Sequence, residues 1–130
     1  MSFKAIRSSK MVQTTAPISL ATLSEGKRIL HISGQVAMDR NGNTVGRSDI
    51  EVQAVQAMEN IKTLVEEAGG TLTDVCRIVV FVTSREYLPK VMEVRRRFLS
   101  EPFPATTTVV AAGLANPDWL VEIEATAVLE

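Results

Sequence analysis

A single cysteine, Cys76, leaves this 130-residue chain unable to close an internal disulfide, which fits a reducing compartment. With one histidine, His31, no second His or Cys stands at ligand spacing, so a zinc site is excluded. Long apolar runs are also missing. No stretch approaches the roughly 20 apolar residues needed to cross a bilayer, and the start, "MSFKAIRSSKMVQTT", lacks the apolar core of a secretion signal. A cytoplasmic protein with no membrane partner is therefore expected. The charge has no dominant sign: 14 Lys and Arg against 15 Asp and Glu give −1, which supplies no general basic field for phosphate backbones. Aromatic residues are only 5%, so no stacking platform for single-stranded nucleic acid stands out, and nucleic acid is not an expected partner. A phosphate-binding Gly-rich loop is absent as well, and "GG" at 69–70 reads as a helix stop.

What is present is enough apolar side chain, 45% of residues, for one core, and the chain is expected to form one domain over 1–130. "ISLATL" (18–23) and "RILHISG" (28–34) read as strands joined by a hairpin turn at "SEGK", with a further strand available at "FKAIR". After the polar loop "DRNGNTVG", Ser48 and Glu51 stand at capping-box spacing. Ile50, Ala54, Met58, Ile61, Val65 and Ala68 then recur at helical intervals. "DVCRIVVFVTS" (74–84) is β-branched and strand-like. "LPKVMEVRRRFL" (88–99) is a second helix with Leu88, Val91, Val94 and Phe98 on one side and Pro89 in its first turn. Two last strands, 105–112 and 120–129, flank the loop "GLANPDW". The order β-β-α-β-α-β-β implies an α+β sheet with both helices on one face.

Alternation divides each strand into two faces. On the last strand Val121, Ile123, Ala125 and Ala127 form a core row opposite Leu120, Glu122, Glu124 and Thr126. The middle strand looks fit for burial on both faces, with Cys76, Ile78, Val80 and Val82 in one row and Val75, Val79 and Phe81, interrupted by Arg77, in the other. Two helices cover only one face of so small a sheet, so a second copy of the chain is expected over the other. That arrangement would place His31, Ser33, Thr106, Thr108 and Glu122 at a cleft between subunits. Taken singly, these residues say less. "TTT" is ordinary strand composition, a lone strand histidine is usually structural, and Cys76 in an apolar strand behaves as a small hydrophobe. "RRR" (95–97) reads first as a solvated helix face, although Arg95 lies one turn from Val91 and leans toward the core edge or the interface.

Four stretches together, "ISGQVAMDRNG" (32–42), "QAVQAMENIKTLVEEAGGTLTDVCRIVVFV" (53–82), "FPATTTV" (103–109) and "LVEIEATAV" (120–128), resemble the RidA/YjgF family over nearly the whole chain from Pro17 onward. The resemblance implies a chorismate-mutase-like α+β fold and a homotrimer with ligand clefts between subunits. It also implies hydrolysis of a reactive enamine or imine to a keto compound and ammonia, without metal or cofactor. The family's arginine after "PA", which clamps a substrate carboxylate, corresponds here to Thr106; its tyrosine corresponds to Ile18, and a second-helix asparagine to Met92. Ser33 of "SGQ" and Glu122 of "VEIEA" match, which implies Glu122 as the group steering water and Ser33 as a cleft residue; Gly34, Thr106, Thr107, Ile18, His31 and Arg95 are the further expected substrate contacts. Loss of a bidentate arginine contact would cost about 1.5–3 kcal/mol. Two consequences stand side by side: the substrate is not a simple 2-imino acid, or another cation, Arg28 or Arg95, takes its place. A metabolite-binding trimer without catalysis is the competing function.

Overall fold

The computed structural model describes residues 3–130. Four strands, β3 (Arg28–Gln35), β4 (Val75–Val82), β5 (Ala105–Val110) and β6 (Val121–Leu129), lie in the order β3-β6-β4-β5. β6 runs antiparallel to both its neighbours, whereas β4 and β5 are parallel. A parallel pair needs a crossover, and α2 (Leu88–Phe98) supplies it. α1 (Ile50–Glu67) lies over β3 and β6, with α2 beside it, so both helices share one side of the sheet.

β1 (Phe3–Ile6), at the "FKAIR" segment, pairs with β2 (Ala21–Ser24) as a separate antiparallel ribbon. The expected hairpin between 18–23 and 28–34 is not formed. β3 pairs instead with β6 from Arg28↔Leu129 to Gln35↔Ile123, and Lys27 N–H extends the ladder to Leu129 O. This longer pairing turns Leu30 and Ile32 onto the helix side, while Ser19 forms an isolated bridge with Ala105 in place of the first strand residues expected there.

α1 starts one residue later than the capping-box spacing implies. Ser48 has φ 59, left-handed backbone that cannot serve as an extended cap, so Asp49 caps the helix by accepting from Val52 N–H. The other end is as expected: Gly69 has φ 94, and Gly69 and Gly70 N–H bond to Glu66 O and Val65 O in a Schellman motif. The core joins Ala54, Ala57, Met58, Ile61 and Val65 of α1 and Val91 and Val94 of α2 to Ile78, Val80 and Val82 of β4 and the Val121, Ile123, Ala125, Ala127 row of β6.

Cys76 departs from its expected row. The β4–β6 register shifts between Val75 and Arg77, so Val75 enters the main core while Cys76 packs with Phe3 and Val128 beneath the ribbon. Gln53 is fully buried on the apolar side of α1, where its amide donates to Gly46 O and Asp118 O and accepts from Leu120 N–H. It ties the loop before α1 to the loop before β6. Gln53→Leu strands three backbone groups, so urea unfolding should give a stability loss of about 2–4 kcal/mol, and a loss below about 0.5 kcal/mol would contradict this role.

Candidate functional site

The core row of β6 forces its alternate residues outward. Glu122 stands opposite Phe81 and Glu124 opposite Val79, on the sheet face that the helices leave uncovered. Glu122 is half-buried because its carboxylate lies over Gly34: a β-carbon there would fall 1.9 Å from Glu122 Oε2. The β3–β6 register shift between Ile32 and Gln35 brings this glycine beneath the acid. Ser33 is exposed beside it, and His31, opposite Thr126, lies exposed further along the same face. Glu122 forms no side-chain hydrogen bond or ion pair among the described residues, so its oxygens are open to a ligand or water.

The threonine run divides between the faces, which corrects the expectation that Thr106 and Thr108 share a face with His31 and Glu122. In the parallel register Thr106 pairs with Ile78 and Thr108 with Val80, whose side chains point to the helices, while Thr107 pairs with Val79 on the Glu124 face. β5 borders only β4, and that parallel register governs the assignment. Thr106 is half-buried and donates to Pro104 O; Thr107 and Thr108 are exposed.

Beside Phe103 lies a groove of about 190 Å³, lined by Ile18, Ser19, Thr15, Arg96, Glu101 and Phe103 among others. Ser19 fixes one wall, since its N–H donates to Pro104 O and its hydroxyl to Phe103 O. Ile18 thus sits near the start of β5. Arg96 and Phe103 were not singled out from sequence. The signal for Arg96 is its i+4 position from Met92, which puts both on one flank of α2.

The three arginines of α2 have three different surroundings. Arg97 pairs with Glu51 and Glu93, and Lys90 pairs with the same two acids, in an exposed four-charge cluster across α1 and α2. The Arg97 hydrogen bond, followed by the Lys90 charge, holds the Glu51 carboxyl below its usual range. Arg96 is exposed and donates to Thr15 O. Arg95 is only 3% exposed, and its Nε and Nη1 have no hydrogen-bond partner. Burial first, and the neighbouring Arg96 charge second, lower its pKa from the ordinary value. The solvated-face expectation holds for Arg96 and Arg97 and fails for Arg95. Arg28, the other candidate cation, is far from this flank in function: its guanidinium donates to Glu130 O and Ala68 O. No cluster of three or more His, Cys, Asp or Glu able to hold a metal occurs among the described residues, and no described helix is long and apolar enough to cross a membrane.

Ser33, Gly34 and Glu122 thus share the face that the helices leave uncovered, whereas Thr106 on β5 is turned to the helix side.

The family model described as Endoribonuclease L-PSP matches residues 11–129. The 2-iminobutanoate/2-iminopropanoate deaminase of Dermatophagoides farinae is 32% identical over 118 residues, 88% of this chain and 91% of that protein. The crystal structure of YyfB of Yersinia pestis, a Rid-family protein of unknown function, is similar with a TM-score of 0.90 at 33% identity, covering 99% of this chain and 100% of that one. RidA from an Antarctic Psychrobacter has a TM-score of 0.74 at 32% identity, with coverage of 97% and 99%.

Gly34 is not in left-handed backbone, so alanine is tolerated there by the main chain and excluded only by the acid above it. Gly34→Ala should leave the fold intact and swing the Glu122 carboxylate away. A crystal structure of the variant with the acid unmoved would show that Gly34 does not define its position.

Proposed function

The chain belongs to the RidA/YjgF, or endoribonuclease L-PSP, family, and from that membership we propose that it is a hydrolytic deaminase converting a reactive imine or enamine into a keto compound and ammonia. The observation that carries this reading is the unpaired Glu122 carboxylate, held over Gly34 on a central strand and open to water. An enamine first takes a proton on carbon to become the imine. Glu122 then takes a proton from water as the water oxygen attacks the imine carbon and the C=N electron pair moves to nitrogen. The nitrogen takes that proton to give the neutral carbinolamine; Glu122 then carries the hydroxyl proton to the amine, the C–N bond breaks, and ammonia leaves as the C=O bond forms. Ser33 and Thr106 would contribute hydroxyls, and Ile18 an apolar wall, with no metal or cofactor taking part.

That Glu122 and Thr106 lie on different faces supports a cleft between subunits, in which the uncovered face of one chain meets the β5 edge of the next. Val109 and Val110, 39% and 45% exposed on that edge strand, favour such a contact, and a homotrimer is the proposed assembly. The single Cys76 fits a cytoplasmic setting. RNA cleavage finds no support in a chain of net charge −1 with 5% aromatic residues. Binding without turnover is the second reading, favoured by the apolar Ile18 and Met92 at positions where the family has polar groups.

The test generates imines in situ from several amino acids with an amino-acid oxidase and follows loss of semicarbazide-trapped imine and gain of keto acid. Wild-type protein should outpace buffer, and Glu122→Gln should lose a factor of about 100 or more. If no imine is consumed faster than in buffer, the deaminase reading falls; if 2-oxo acids still bind, the binding reading replaces it. Light scattering should give about three chain masses, and a monomer at working concentration would remove the intersubunit cleft.

A further inference from the structure

Residues 7–16 cross from the end of β1 to the groove beside Phe103, and both ends of the crossing are fixed. Phe3 of β1 is buried with Cys76 and Val128, while Pro17 and Ser19 are buried and Ser19 bonds to Phe103 O and Pro104 O. The crossing itself has little to hold it. Met11 and Val12 are 57% and 82% exposed, so the segment sinks no apolar anchor there. Among the described residues its hydrogen bonds are local: Lys10 and Met11 N–H and the Gln13 amide donate to Ser8, the Gln13 amide also to Met11 O, and Ala16 N–H to Thr14 Oγ1. One bond is long-range. Arg96 Nη2 donates to Thr15 O at 3.2 Å, across 81 residues of chain. A segment with few buried contacts and exposed bonds opens at low local cost, so a single tie decides where it rests.

Resting on the deaminase reading above, we propose that Arg96 is a positioning residue: it clasps residues 7–16 as a strap over the groove, which takes the substrate's side chain, and the clasp sets the size of side chain admitted. Arg96 is free for this task, because among the described residues it forms no ion pair, whereas Arg97 is held by Glu51 and Glu93. It rides on α2, which Val91 and Val94 fix to the core, so the clasp is anchored to a rigid element. A charged donor also makes a stronger bond to a backbone carbonyl than a neutral one does. The strap supplies Gln13, Thr14, Thr15 and Ala16 to the groove wall, which Arg96, Ile18 and Phe103 also line. The hold reaches Ile18 through a short relay: Arg96 fixes Thr15, Thr14 Oγ1 accepts from Ala16 N–H, and Ala16 O accepts from Ile18 N–H at 2.8 Å. Closed, the groove has about 190 Å³, room for a small side chain; with the strap released, that wall recedes and bulkier substrates fit.

The test compares the full-length native protein as wild type, Arg96→Ala and Arg96→Lys, by hydrogen–deuterium exchange and by turnover of imines made in situ from alanine and from phenylalanine. Arg96→Ala should speed exchange across residues 8–18 by about threefold or more with α1 unchanged, and Arg96→Lys, which can still donate to one carbonyl, should fall between. The ratio of kcat/KM for the small imine over the large one should drop by about threefold or more in Arg96→Ala, through KM more than kcat, and recover in part in Arg96→Lys. The melting temperature should stay within about 2 °C of wild type, since an exposed contact contributes little to global stability; a larger fall would make Arg96 a general stabiliser and overturn the local role. Unchanged strap exchange in Arg96→Ala overturns the proposal, and so does faster exchange with an unchanged substrate ratio. If wild type consumes neither imine, the deaminase reading falls, and calorimetric binding of pyruvate against phenylpyruvate decides the clasp on its own: the affinity ratio shifts by about threefold or more toward the larger acid in Arg96→Ala, or the clasp falls as well.

Discussion

The alternation of β6 is the constraint on which the rest depends. Val121, Ile123 and Ala127 are fully buried and Ala125 nearly so, because this central strand carries α1 on one face. With period two, committing that row to the core leaves Glu122 and Glu124 no direction but outward. A slip of one residue would bury two carboxylates and expose four apolar side chains, so the position of Glu122 is guarded by the hydrophobic energy of the whole row. β6 is hydrogen-bonded on both sides, to β3 and β4, which makes its acid a fixed group on a rigid element, the setting that chemistry at a single atom requires.

Two irregularities adjust this regular frame, and both lie in strands that border β6. Between Ile32 and Gln35 the ladder shifts and gives Glu122 a glycine to lie on; between Val75 and Arg77 it shifts again and moves Cys76 from the main core to the Phe3 and Val128 cluster. The second shift also seats the β1–β2 ribbon, since Thr22 donates to Cys76 O and Cys76 Sγ approaches Thr126 O. The ribbon covers one end of the sheet's outer face and leaves the Glu122 end open. Bulges re-aim side chains at the cost of a few ladder bonds, and here one bounds the open region while the other lies inside it.

Local physics explains which features were legible in the sequence. The apolar spacing of α1, the Schellman glycines and the two faces of β6 depend on neighbours within a few residues, and they stand as expected. Pairing partners depend on energy gained far along the chain, and so the tempting turn at "SEGK" gave way to a longer ladder with β6. The faces of Thr106 and Thr107 depend on the register of a parallel pair, which no local pattern encodes. Gln53 stayed hidden because a polar residue beside Ala54 and Ala57 looks like a helix surface position until the loops it bonds are folded against it. Arg95 was half legible: its place one turn from Val91 points it toward the core edge, while its two exposed neighbours make the run look solvated, and the rotation of α2 separates it from them.

The position of Glu122 on the uncovered face bears on which symmetric contacts between copies are favourable. In a dimer with two-fold symmetry the contact patch meets its own copy, so a patch centred on Glu122 would set two carboxylates against each other and raise the energy of both. A head-to-tail contact instead brings unlike patches together, as the Glu122 face of one chain and the exposed β5 edge of the next would be. Such contacts close into a ring when the rotation permits. In such a ring each chain would take part in two contacts, through a different patch in each.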